Sequence, residues 1–310
     1  MNIRELLKKT TLAAILCATM ATSAWAQSVA WTTAKGAQSP IDFSTEQAVG
    51  ALSTATTITA TGTWSAAQVT NLQAALKSDG NIETDNSTLL TVDMSAAVWS
   101  DGVTAASLFR QCTALTSVIL PEADNANSIS FFCTFYYCES LKSITNLEKF
   151  TNVNNFRYAF QNCSNLTSVE LGVVPTNNIV DIFKGTDPNC LKYLPAGTTT
   201  VPTNWTNCIA DGKALADITL TDEKPFHCPQ AFSMDGHTMT YTRTWKYATK
   251  TGGWNTLYLP FAATATADNT PLTPATGGAD GDYILKTLTG STTGTLTMTS
   301  TGTVQAYTPY

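Results

Sequence analysis

The chain has 310 residues, of which 43% are hydrophobic and only 13% charged, with a formal net charge of −6. That length allows two ordinary domains with a sizeable core, and the aromatic content and low charge exclude a disordered chain. No basic cluster is available to neutralise phosphates, so nucleic acid and anionic membrane surfaces are excluded as partners.

Arg4, Lys8 and Lys9 precede a short apolar run at 11–20, and Ala24-Trp-Ala26 supplies small residues for a signal peptidase. Residues 1–26 are therefore expected to be a signal peptide, and the chain to be exported to the cell surface or beyond. The run is too short to cross a bilayer and no other stretch could, so no transmembrane segment is expected. Lipid attachment at Cys17 is disfavoured by the bulky Leu16 before it.

Residues 27–88 are expected to form a weakly patterned leader, to about residue 55, and then a cap. The cap begins with a strand at 56–64, where β-branched residues alternate. A helix follows, with Ser65 as N-cap, Val69, Leu72 and Leu76 as its apolar stripe and Gly80 as its stop.

From Leu89 one phrase recurs. Phe109-Arg-Gln-Cys112-Thr-Ala-Leu115-Thr-Ser-Val118 returns as Phe135-Tyr-Tyr-Cys138-Glu-Ser-Leu141-Lys-Ser-Ile144 and as Phe160-Gln-Asn-Cys163-Ser-Asn-Leu166-Thr-Ser-Val169. The period of 26 and then 25 residues falls in the leucine-rich-repeat range of ~20–29, in which each unit buries its apolar face only against copies of itself. Residues 89–200 are expected to be this repeat array, a solenoid. Within each unit Ala105/Phe109, Phe131/Phe135 and Phe156/Phe160 are four apart, which predicts a helical turn ahead of each cysteine. Leu147 comes one place late, which predicts a bulge or longer turn. The unit from Ile182 to Pro195 is degenerate and is expected to close the stack.

Seven cysteines follow residue 26, an odd number that leaves at least one unpaired in a monomer. Cys112, Cys138 and Cys163 share one repeat position and are expected to form a buried ladder of thiols. Cys133–Cys138 and Cys208–Cys228 bridges are conceivable, since export permits disulfides.

Residues 201–310 change character: short β-like runs at 239–247, 256–261, 282–288, 293–299 and 304–310 alternate with Gly-rich turns. This pattern predicts a β-sandwich-like domain, and the strand pattern at Thr308-Pro-Tyr310 carries the expectation that the natural chain continues. The fold class expected is mainly β: a leucine-rich-repeat solenoid with an N-terminal strand–helix cap, followed by a β-sandwich-like domain.

The F-x-x-C-x-x-L-x-x-V/I phrase resembles the BspA-type leucine-rich repeats of bacterial surface and secreted proteins. The stretch Thr57-Ile-Thr-Ala-Thr-Gly-Thr-Trp64 is similar to the cap before such repeats, and Trp254-Asn-Thr-Leu-Tyr-Leu-Pro-Phe261 to a β-domain that accompanies them. The resemblance implies adhesion and binding of host or matrix proteins, and brings no catalytic residues.

Reactive groups are few. His227 and His237 lie outside the repeats, neither has a nucleophile signature around it, and the cysteine spacing does not suit zinc. Asp280-Gly-Asp282 lacks the ligand run of a calcium loop. No enzyme activity, cofactor or metal is expected. What remains is surface: strand alternation places Thr91 and Asp93, Ser117 and Ile119, Ser143 and Thr145, and Ser168 and Glu170 in one outward row. This row is the candidate binding face for a host or matrix protein, or another surface protein. Of the aromatic cluster, Tyr136, Tyr137 and Phe132 are the members able to show outside. The alternative partner is a glycan, held by Trp245, Tyr247 and Trp254.

Overall fold

The computed structural model describes residues 28–43, 49–100, 102–122, 129–222 and 224–242, and after them the strand segments 266–267, 270–271, 285–292 and 295–301. Residues 1–26, expected to be a signal peptide, lie outside the described residues. The chain divides into two compact units, Met1–Thr242 and Arg243–Tyr310.

The first unit begins earlier than its sequence pattern implies. Strand β1 (Ser28–Thr33) pairs antiparallel with β2 (Gly36–Ala37), β3 (Ile41–Asp42) and β4 (Thr57–Trp64), with Trp31 opposite Ile58. Part of the supposed leader is thus an edge of the cap. Its signal is a single buried residue, Val29, among polar neighbours, too little to read as a strand beforehand. The cap helix α1 (Ala66–Ala75) follows expectation. Gln68 Oε1 accepts from the Ser65 N–H at 2.8 Å, half of a capping box, and Val69, Leu72 and Ala75 are buried. Gly80, at φ 76°, ends the following turn in the left-handed conformation that glycine adopts without strain. Buried Asn86 then ties the cap to the first repeat. Its Nδ2 donates to Leu76 O at 2.8 Å and its Oδ1 accepts from Leu89 N at 2.9 Å.

After β4 the strands run parallel: β5 (Thr91–Trp99), β6 (Ser117–Ile119) and β8 (Ser143–Thr145) join the same sheet, one per repeat. On the other side of the repeats, β7 (Ile129–Ser130) pairs parallel with β9 (Val153–Asn155). A second sheet carries β10 (Ser168–Glu170), β11 (Leu191–Tyr193) and β12 (Cys208–Ala210) in parallel, and β13 (Lys213–Ala214) antiparallel at its edge. Parallel strands cannot be joined by tight hairpins, so each is followed by an excursion of some twenty residues.

That excursion is not helical. Ala105–Leu108 and Phe109–Cys112 are successive four-residue turns, closed by Leu108 N→Ala105 O (3.0 Å) and Cys112 N→Phe109 O (3.1 Å). The third residue of each, Ser107 and Gln111, has positive φ, as do Cys133 and Tyr137, and Tyr158 and Asn162, in the next two repeats. Positive φ at the third position is what a type II turn requires, and for non-glycine residues it costs on the order of 1–2 kcal/mol. The compensation is a hydrogen bond to the next repeat from every second amide. Ala105, Ser107, Phe109 and Gln111 donate to the carbonyls of Ser130, Phe132, Thr134 and Tyr136 at 3.0, 2.8, 3.0 and 2.7 Å. A helical turn would consume those amides internally and leave the repeats unlinked. The four-residue spacing is therefore the period of paired turns.

Inside, the phrase becomes columns. Phe109, Phe135, Phe160 and Phe183 stack with centroids 5.7, 5.8 and 5.2 Å apart, and Leu115, Leu141 and Leu166 are fully buried beside them. Buried Lys192 lies over Phe183 at 5.0 Å and donates to Cys190 O and Thr206 O at 3.1 and 3.0 Å, covering the end of that stack. The slip at Leu147 is a 3-10 turn, Leu147–Lys149, entered through Asn146 at φ 70°. It brings the Glu148 and Phe150 carbonyls to 2.4 and 2.6 Å from where a side-chain carbon would sit on Gly172, so only glycine fits there.

Two expectations are corrected. The stack does not close at Pro195, because β12 adds a further parallel strand after a much shorter excursion, which erased the repeat phrase. The stretch 201–242, grouped by its sequence with the C-terminal domain, packs on the repeats instead. Its β14 (Ile218–Thr221) and β15 (Met239–Thr242) form a parallel pair whose first strand is held by Asn207 Oδ1 (Thr219 N, 3.2 Å) and Asn189 Oδ1 (Thr221 N, 2.6 Å). In the second unit the described strands form two antiparallel pairs. These are β16 (Thr266–Ala267) with β17 (Thr270–Pro271), and β18 (Leu285–Thr292) with β19 (Thr295–Thr301).

Candidate interaction surface

The strand row divides in two. On the first sheet Thr91, Ser117 and Ser143 stand side by side in register, and so do Asp93, Ile119 and Thr145. Between them Val92, Val118 and Ile144 point inward and are buried, so the outward set is half-buried or exposed as the strand period demands. The side chains are short, and Asp93 is turned locally, its Oδ1 accepting from Ser95 N (2.9 Å) and Ser95 Oγ (2.6 Å).

Ser168 and Glu170 do not continue this row in one sheet. Strand β10 begins the second sheet and makes no ladder with β8, the break falling at the 3-10 turn. Glu170 is also engaged: its Oε1 accepts from Gln230 Nε2 at 2.7 Å. Tyr193, its register partner on β11, donates to Gln230 O at 3.0 Å and lies 3.6 Å from Cys228 Sγ. Burial and the neighbouring Cys228 push the Tyr193 phenol well above its ordinary value. The segment around 228–230 therefore lies against this end of the row, and six of the eight predicted residues, Thr91 to Thr145, remain as one face.

The seven cysteines among the described residues are free. Cys112, Cys138, Cys163, Cys190 and Cys208 are fully buried, and Cys138 and Cys163 Sγ each donate at 3.0 Å to the carbonyl of the preceding repeat's phenylalanine, Phe109 and Phe135. Burial pushes the Cys112, Cys190 and Cys208 thiols up to about 11. Neither conceivable disulfide is present. Among the described residues no group of three or more His, Cys, Asp or Glu is placed to hold a metal, and no helix is long and apolar enough to cross a membrane. Of the four Asn-x-Ser/Thr sequences, that at Asn86 is buried, and Asn162 and Asn165 belong to the repeat turns, Asn165 Nδ2 donating to Glu139 O at 2.7 Å. Trp245, Tyr247, Trp254 and Asp280–Asp282 lie outside the described residues.

The turn side carries a group the row-based reading passed over. Phe132, Tyr136 and Tyr158 come from two adjacent repeats and meet edge to face, with Arg110 4.6 Å above the Tyr136 ring and Arg157 5.4 Å from the Tyr158 ring. Tyr136 and Phe132 were visible as aromatics able to reach the surface. The arginines carried no signal, because their convergence depends on left-handed residues that turn patterns do not reveal.

Parallel strands, one per repeat, linked by turn ribbons over columns of Phe, Leu and Cys define a leucine-rich-repeat protein. Residues 104–202 match the family described as the BspA type leucine rich repeat region, in six copies, so this segment is a BspA-type repeat region. No curated protein and no solved structure matches the chain.

Proposed function

We propose that the chain is an exported, non-enzymatic adhesion protein that binds a host or matrix protein, or another surface protein, through the strand row of its repeat solenoid. The observation that carries this reading is the in-register face of Thr91, Ser117, Ser143, Asp93, Ile119 and Thr145 on a scaffold whose every repeat is hydrogen-bonded to the next. Such a face is preformed, so binding orders few side chains and little of the contact energy is lost to entropy. Short side chains leave room for a partner's larger ones to approach the sheet. A leucine-rich-repeat array is a protein-interaction architecture, which favours a protein over a small-molecule substrate. The second unit, read as a β-sandwich-like domain, would serve as a spacer or second module.

The test is surface plasmon resonance of the exported chain over immobilised matrix proteins, with Ser143→Arg and Thr145→Arg introduced together. Both positions are exposed, so the fold should be retained. A rise in Kd of tenfold or more supports the row as the contact, equivalent to about 1.4 kcal/mol; unchanged binding removes it.

A further inference from the structure

The aromatic and basic group on the turn side belongs to no function assigned above, and its charges do not balance. Arg110 pairs with Glu83 at 2.5 Å, and Lys184 pairs with Asp181 at 3.0 Å. The third cation is different. Among the described residues Arg157 has no carboxylate partner, and its Nε, like that of Arg110, is buried without a hydrogen-bond acceptor. Its one side-chain contact of this kind is a long one, Nη2 to Tyr158 Oη at 3.5 Å. Three cations, one of them without a paired carboxylate, thus gather on this face in a chain whose net charge is −6.

A guanidinium fixed beside phenol rings with donors unused is a receptor for a planar carboxylate, which it binds through two parallel hydrogen bonds. The surroundings specify the class of partner. Tyr and Arg are the side chains that concentrate binding energy at protein interfaces, where surrounding contacts exclude water. The rings do not offer a flat platform for a sugar. Phe132 and Tyr158 are inclined at 63°, Tyr136 and Tyr158 at 74°, and Tyr136 and Tyr137 at 63°, which forms ridges and clefts that suit branched side chains. One uncompensated charge is far too few for a phosphate backbone. We propose that this face is a second docking site, separate from the strand row, for an acidic segment of another protein, with a carboxylate seated on Arg157 and adjacent apolar side chains against Phe132, Tyr136 and Tyr158.

The test uses the full chain and three fluorescein-labelled probes followed by anisotropy: a dodecapeptide of alternating Glu and Leu, its Lys/Leu counterpart, and a polygalacturonate oligomer. The Glu/Leu peptide should bind, and weaken at high salt as screening of an exposed contact requires. Arg157→Gln should raise its Kd tenfold or more. Tyr158→Asn provides a second variant, since asparagine tolerates the φ of 57° at that position, and should also weaken binding. No binding of the Glu/Leu peptide would overturn the proposal. So would equal binding of the Lys/Leu peptide, tighter binding of polygalacturonate, or undiminished binding by both Arg157→Gln and Tyr158→Asn.

Discussion

Phe135 offers the sharpest perturbation of the repeat stack. Its ring is wholly buried between Phe109, at 5.7 Å and 17°, and Phe160, at 5.8 Å and 10°. Truncation to alanine removes the transfer energy of the ring and leaves a cavity that columns on both sides prevent from collapsing. Phe→Ala changes in cores cost about 3–5 kcal/mol, and a site this rigid belongs at the upper end. Against a typical domain stability of about 5–15 kcal/mol, that is a third or more of the total. Phe135→Leu separates the contributions. It keeps most of the apolar volume and forfeits two ring contacts of about 0.5–1.5 kcal/mol each, so its cost should be near 1–3 kcal/mol. Because stability in a repeat array is a sum of units and nearest-neighbour interfaces, the alanine variant should also broaden the transition as the flanking repeats uncouple. Urea unfolding followed by circular dichroism measures both effects, with the exposed Thr145→Ala as a control expected within about 0.5 kcal/mol of the parent. A Phe135→Ala variant within about 1 kcal/mol of the parent would refute the column as the structural spine.

Other outcomes follow from the thiols and from Gly172. The Cys112 and Cys190 thiols, raised by burial to about 11 from 9.0, hold their protons in the folded state at pH values where the unfolded chain releases them. Their contribution is fully present below about pH 9 and declines as pH rises toward 11, so the urea midpoint should fall across that window. In a chain expressed from residue 27, a thiol reagent at pH 8 should modify Cys228 rapidly and the six buried cysteines only on unfolding; prompt reaction of several would contradict the ladder. Gly172→Ala places a carbon against two backbone carbonyls at 2.4 and 2.6 Å and should cost on the order of 1–3 kcal/mol by overpacking, measured by thermal unfolding.

Much of the repeat architecture was legible because buried positions recur. Phe109, Cys112, Leu115 and Val118 point inward in every unit, and inward positions tolerate few residue types. The cap helix was legible for the same reason, with Ser65 and Gln68 adding a start signal. What escaped depended on backbone conformation. Ser107, Cys133 and Tyr158 occupy one left-handed position with three unrelated side chains, because the inter-repeat hydrogen bond holds that conformation whatever residue sits there. A four-residue spacing therefore looked like a helix. The division of the strand row at β10 was equally hidden, since Ser168-Val-Glu170 repeats the alternation of Ser117-Val-Ile119 and only the position of Leu147 hinted at a break. The engagement of Glu170 by Gln230 spans sixty residues with no pattern to announce it.

The strand row as recognition surface is tested most directly by the Kd of the chain for an immobilised matrix protein, compared between the parent and Ser143→Arg/Thr145→Arg. If partners bind there, the paired substitution raises Kd at least tenfold with an unchanged unfolding midpoint. Equal affinity in a variant that folds as the parent does would contradict it.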